Sequence, residues 1–142
     1  NPDEGLHRFT YSLYPHPGDW REAGTDQRAA ELNQPVQVVV TDSHVGPLQP
    51  GQPWLRCESE HARVSAVKLA EDQPKEGLAV IVRVYEAHGQ ETDVRLQPGW
   101  PVARAEEVDL IERPLADLAI EEGGISLHLT PHEIRTVKLY TA

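Results

Sequence analysis

The side chains able to do chemistry in this 142-residue chain are chiefly seven histidines and 23 aspartates and glutamates, so their spacing is the first question. A metal site needs ligands that converge on one ion. His128 and His132 are four apart, but Pro131 lies between them and the flanking residues alternate as strands do. On a strand such a pair stands about 13 Å apart, too far to share an ion. His7 and His16 are nine apart, and no pair has the close spacing of a helical zinc motif. These histidines read as surface or core residues, and no metal ligand is assigned. A glycosidase needs two carboxyls roughly 5 to 9 Å apart. Glu58 with Glu60, Glu71 with Asp72, Glu106 with Glu107 and Glu121 with Glu122 have suitable types. Neighbours on a strand face opposite sides, however, and most of these pairs read as solvated turn carboxylates. Glu86 differs, because it ends the most apolar strand beside Arg83 and Tyr85; a structural ion pair or a turn carboxylate is the expectation there. No G-x-S-x-G is present, Cys57 has no nearby His, and Gly123-Gly124 is a hairpin signal, not a phosphate loop. Trp20, Trp54 and Trp100 have the faces to stack on sugar rings; each is flanked by Pro, Gly or a turn and can equally cap a core. No catalytic residue is assigned.

The elements that must position these groups follow from composition and pattern. A mass of 15.8 kDa suits one domain, expected over residues 1–142. Lys and Arg total 13 against 23 Asp and Glu, a formal charge of −10, which excludes nucleic-acid and anionic-membrane partners. The longest apolar run, Leu78 to Val82, is too short to span a bilayer. The lone Cys57 allows no internal disulfide and suits a reducing compartment, so a cytoplasmic location is expected. The chain begins at Asn1 and contains no Met, from which a fragment of something larger is expected.

Twelve Pro and ten Gly punctuate short apolar runs, the rhythm of an all-β domain. In His7 to Leu13, Phe9, Tyr11 and Leu13 share one face, a half-buried strand; Val36 to Val40 reads as a strand covered on both faces. Trp54 to Cys57, Arg63 to Leu69, Leu78 to Glu86, Thr92 to Leu96, Val108 to Ile111, Ile125 to Leu129 and Ile134 to Tyr140 complete about nine strands. A mainly antiparallel β-sandwich is the expected fold. One short helical segment is expected near residues 20–32, with Asp19 as its N-cap and Pro35 ending it. Ser43 to Pro53 reads as a surface loop.

Five ordered pieces carry a resemblance. Asp3 to His16 contains F-T-Y-x-L-Y-P-H after an acidic-Gly start, and Ala29 to Pro35 reads A-x-x-L-N-x-P. Val67 to Asp72 gives V-K-x-A-E-D, Val82 to Glu86 gives R-x-Y-E, and Leu127 to Leu139, with Pro131, Glu133, Ile134 and Thr136, reads L-x-P-x-E-I-x-T-x-x-L. Together they resemble the C-terminal β-domain of glycoside hydrolase family 38, the retaining α-mannosidases. The resemblance implies a parent enzyme whose nucleophile, general acid and zinc ligands lie in an upstream α/β domain. It implies no catalytic or zinc residue here. The expected partners are that upstream catalytic domain of the same chain and, through the parent, a mannose-containing oligosaccharide. On this reading the chain buttresses the catalytic domain. Arg83, Tyr85 and Glu86, then Tyr14 and His16 between Pro15 and Pro17, are the candidate cleft- or domain-contacting residues. Two other readings stay open: an independent carbohydrate-binding sandwich using the three Trp, and a complete small enzyme.

Overall fold

A computed structural model of the chain describes residues 4–43, 45–46 and 51–141. The chain forms two compact units, Asn1–Ser43 and His44–Ala142.

The first unit carries the one helix among the described residues, α1 (Thr25–Asn33). Asp19, expected as its N-cap, caps the preceding turn instead. Its Oδ1 accepts the backbone N–H groups of Arg21 and Glu22 at 2.8 and 3.0 Å. The helix itself starts at Gly24, whose φ of 59° is left-handed and carries no Cβ penalty. It ends where Gln34 donates to the Ala30 carbonyl and leaves the helical region, as a residue before proline tends to do. No residue of α1 is buried. The strands expected over His7 to Leu13 and Val36 to Val40 are absent: neither segment joins a ladder among the described residues.

The eight strands found among the described residues lie in the second unit: β1 (Leu55–Glu58), β2 (Ala62–Leu69), β3 (Ala79–Glu86), β4 (Thr92–Pro98), β5 (Val102–Val108), β6 (Pro114–Leu118), β7 (Ile125–Leu129) and β8 (Ile134–Thr141). They form a three-stranded sheet, β1-β4-β7, and a five-stranded sheet, β2-β3-β8-β5-β6, with every pair antiparallel. The all-β sandwich is therefore observed, with eight strands in place of nine. The expected strand Val108 to Ile111 is the end of β5 followed by a turn. Asp109 makes that turn by accepting the N–H groups of Ile111 and Arg113 on Oδ1. β5 and β6 were not anticipated. β6 opens on Pro114, which an edge strand tolerates because its outward amide needs no partner. The expected loop Ser43 to Pro53 lies partly outside the described residues.

Alternation on β3 fixes the layers. Val80, Val82 and Val84 face the other sheet and join Val94 and Leu96 of β4, Ile125, Leu127 and Leu129 of β7, and Val137 and Leu139 of β8 in one buried core. Ala79 and Ile81 face the opposite way. There they meet Ala70, Val108 and the ring of Tyr140 in a second, smaller buried cluster on the outer face of the five-stranded sheet. This explains why Leu78 to Glu86 is apolar at almost every position.

Candidate functional site

The strand-end cluster Arg83, Tyr85 and Glu86 is divided by the pleat. Glu86 shares the inward face with Val80, Val82 and Val84, and its side chain is fully buried at the end of the sandwich. Its Oε1 accepts the His88 N–H at 2.6 Å; Oε2 accepts those of Gly89 at 2.7 Å and His132 at 2.9 Å. Burial alone would push this carboxyl up. The hydrogen bonds from the backbone of His132, His88, Gly89 and Gln90 outweigh it and hold the pKa at about 2. Glu86 thus clasps the loop after β3 to the turn before β8, and a carboxylate so ionised and so encircled has no free lone pair for acid–base catalysis. Beside it, the Nδ1 atoms of His61 and His88 lie 2.9 Å apart.

Arg83 and Tyr85 sit on the outer face. The Arg83 guanidinium donates to Thr136 Oγ1 at 3.1 Å and to the Leu110 carbonyl at 3.1 Å, which ties β3 to β8 and to the turn after β5. One row further along that face lies a polar network missed in the sequence. Tyr140 donates to Glu106 Oε2 at 2.6 Å, Glu106 also accepts from Arg104, and Lys138 donates to the Asp72 carbonyl at 3.2 Å. Burial and the Glu106 carboxylate push the Tyr140 phenol up to about 12. Glu106 and Glu107, read as turn carboxylates, are strand residues on opposite faces of β5. Glu107 holds Arg135 in an ion pair on the inner flank, where Arg135 also reaches the His128 carbonyl on the other sheet at 3.1 Å. The one signal for this network was the pair of cations in β8, Arg135 and Lys138, placed among apolar residues.

Two of the tryptophans meet within the second unit. Trp54 and Trp100 stack on each other, with centroids 4.2 Å apart and planes 29° apart. Gly99 allows this approach: a Cβ there would lie 2.7 Å from the Pro53 carbonyl oxygen. The pair forms one side of a cleft of about 630 Å³ whose other lining includes Val67, Leu69, Leu78 and Val80. The cleft is apolar, with Lys68 as its charged group, and the Trp100 indole N–H finds no acceptor among the described residues. In the first unit, Trp20 carries the Arg21 guanidinium over its ring, 4.5 Å from the centroid. Tyr14 and His16 are brought together there, with centroids 5.4 Å apart; Tyr14 donates to the Ala23 carbonyl at 3.3 Å, and His16 Nε2 lies 3.4 Å from Thr25 Oγ1. Among the described residues no three His, Cys, Asp or Glu side chains are grouped to hold a metal ion, and no helix is long and apolar enough to cross a membrane.

Fold and clusters together describe a two-sheet sandwich whose buried charges are engaged in holding strands and turns. Residues 61–137 match the C-terminal beta sandwich domain of the glycosyl hydrolases family 38, and the chain belongs to that family. It is 33% identical over 141 residues to Alpha-mannosidase 2C1 of Homo sapiens, covering 96% of this chain and 13% of that protein, and 32% identical over the same length to the Mus musculus counterpart. Alpha-mannosidase G of Dictyostelium discoideum is 33% identical over 91 residues, 63% of this chain and 8% of that protein. The chain spans about an eighth of the length of the curated relatives it matches.

Proposed function

We propose that this chain is the non-catalytic C-terminal β-domain of a retaining, zinc-dependent α-mannosidase and that it buttresses the catalytic domain of its parent. The observation that carries the reading is the family match over 61–137, set within relatives named as α-mannosidases that align along 96% of the chain. The geometry is consistent with it, because the carboxylates Glu86, Glu106 and Glu107 each brace a turn or a strand. The family resemblance implies zinc, and on this proposal its ligands and the nucleophile belong to the remainder of the parent.

The test is removal of residues 54–141 from the intact parent, with hydrolysis of an aryl α-mannoside and the melting temperature as readouts. A fall in both supports a buttress; unchanged kcat/KM and Tm would end the idea. The second reading, an independent sugar-binding module, is favoured by the Trp54–Trp100 cleft. Sugars demand hydrogen-bonding partners around a stacking face, and this lining is almost wholly apolar. Mannose titrated into the 142-residue chain should therefore leave its Trp fluorescence unchanged, whereas saturable quenching would favour the binding module.

A further inference from the structure

Two segments of the first unit are apolar, of strand-like pattern, and uncovered. Phe9, Tyr11 and Leu13 alternate with Thr10 and Ser12, and the rings of Phe9 and Tyr11 stack 6.3 Å apart, as neighbours on one face of an extended chain do. Val36, Val38, Val39 and Val40 leave only Gln37 polar in a run of five. The exposure of these seven side chains runs from 78% for Tyr11 to 93% for Val40. Soluble proteins rarely leave runs of such side chains open unless something binds them. β-branched and aromatic runs of this kind are stable as strands only when their backbone groups find a ladder.

We propose that residues 7–13 and 36–40 are strands of a further sheet, separate from the two of the sandwich, whose other strands come from the part of the parent mannosidase outside these 142 residues. This rests on the reading that the chain is one domain of a longer enzyme. The pattern assigns each strand its place. Residues 7–13 have one apolar face and one polar face, which suits a strand packed on a core from one side. In residues 36–40, Val36, Val38 and Val40 make one wholly apolar face and Val39 stands beside Gln37 on the other, which suits a strand covered on both sides. The relatives supply the source of the missing strands, since about seven-eighths of their length lies beyond the region that matches this chain. A second copy of the chain is the poorer occupant, because each copy carries a formal charge of −10 and like charges oppose association. The mode is strand addition, in which main-chain hydrogen bonds give affinity and alternate side chains give register.

Amide hydrogen exchange on the intact parent and on the 142-residue chain tests this. The amides of residues 8–13 and 37–40 should exchange at least a hundredfold more slowly in the parent. Unprotected exchange in the parent would overturn the proposal, as would equal protection in the shorter chain, which would mean a ladder formed within it. Val38→Pro, which removes a ladder donor, should lower the melting temperature of the parent by several degrees and leave the sandwich of the shorter chain unchanged. Val38→Ile should restore the parent. A parent that melts alike with Val38→Pro and with valine would also overturn it. Failure of the buttress reading is separable: a parent cut after residue 43 that kept full activity would end that reading, yet would leave the protection of these strands intact.

Discussion

The two units of this chain contain sequence of the same kind and treat it in opposite ways. Both carry short β-branched and aromatic runs bounded by proline and glycine. In the sandwich, Val82 and Leu96 are fully buried between two sheets; in the first unit, Val38 and Val40 are among the most exposed side chains. A strand pattern therefore specifies the capacity to pair, and the partner decides whether that capacity becomes structure. β3 has β2 and β8 on either side of it and the three-stranded sheet over its inner face. Residues 36–40 have no ladder among the described residues.

The sharpest way to break the comparison is to truncate one apolar side chain in each region. Leu96→Ala opens a cavity among fully buried apolar side chains and should cost about 3 kcal/mol. Val38→Ala in the same 142-residue chain removes surface that water already covers and should change stability by less than about 0.5 kcal/mol. Urea unfolding monitored through Trp54 and Trp100 measures both. Equal losses would mean that residues 36–40 are buried after all and that the contrast between the units is false.

The same contrast explains what could be read in advance. β7 was legible because Ile125 to Leu129 alternate against a core that this chain itself supplies, and β8 because Val137 and Leu139 reach that same core in a β-branched and apolar run. β5 was not, because its outward Glu106 depends on Tyr140, 34 residues further along, and no local pattern announces such a partner. Asp109 hid the boundary of β5: between Val108 and Leu110-Ile111 it read as one polar position of a strand, whereas its side chain accepts from Ile111 and Arg113 and its backbone bonds to Glu112 and Arg113, which turns the chain. Of the candidate residues, alternation placed Arg83 and Tyr85 apart from Glu86. The amides that surround Glu86 come from two loops, and one of them, at His132, is 46 residues away.

Glu86 sharpens the comparison at the next level of energy, because it shows what a completed site does with a buried charge. Glu86→Gln keeps the shape but sets an amide against donor N–H groups, and should cost about 2 kcal/mol at neutral pH. The folded pKa, about 2, lies below the ordinary value of 4.5. A group whose folded pKa is depressed contributes its stability above the unfolded value and loses it as the pH falls through the folded one. The gap in unfolding free energy between wild type and Glu86→Gln should therefore hold at pH 7 and narrow from pH 4.5 towards pH 2. A gap independent of pH would mean that ionisation of Glu86 is not what fastens the two loops.

Exposed ion pairs supply the smallest effect and the point where the two units should agree. In the sandwich, His128 Nδ1 meets Asp93 Oδ1 at 2.8 Å; in α1, Arg28 meets Glu31 at 2.8 Å; all four side chains are at least half exposed. Water screens such pairs, and ordering two long side chains offsets much of the attraction. If burial is what separates the regions, neither Asp93→Asn nor Glu31→Gln should move the urea midpoint resolvably at pH 8. The hydrogen bond to Asp93 raises the His128 pKa above 6.5, so what the pair contributes is present at low pH and lost as the pH climbs through the folded value. Asp93→Asn should bring the His128 titration, followed by its ring-proton NMR shift, back down towards that value. A midpoint that falls clearly with Asp93→Asn, but not with Glu31→Gln, would show that surface charge as well as buried area distinguishes the sandwich from the segment before it.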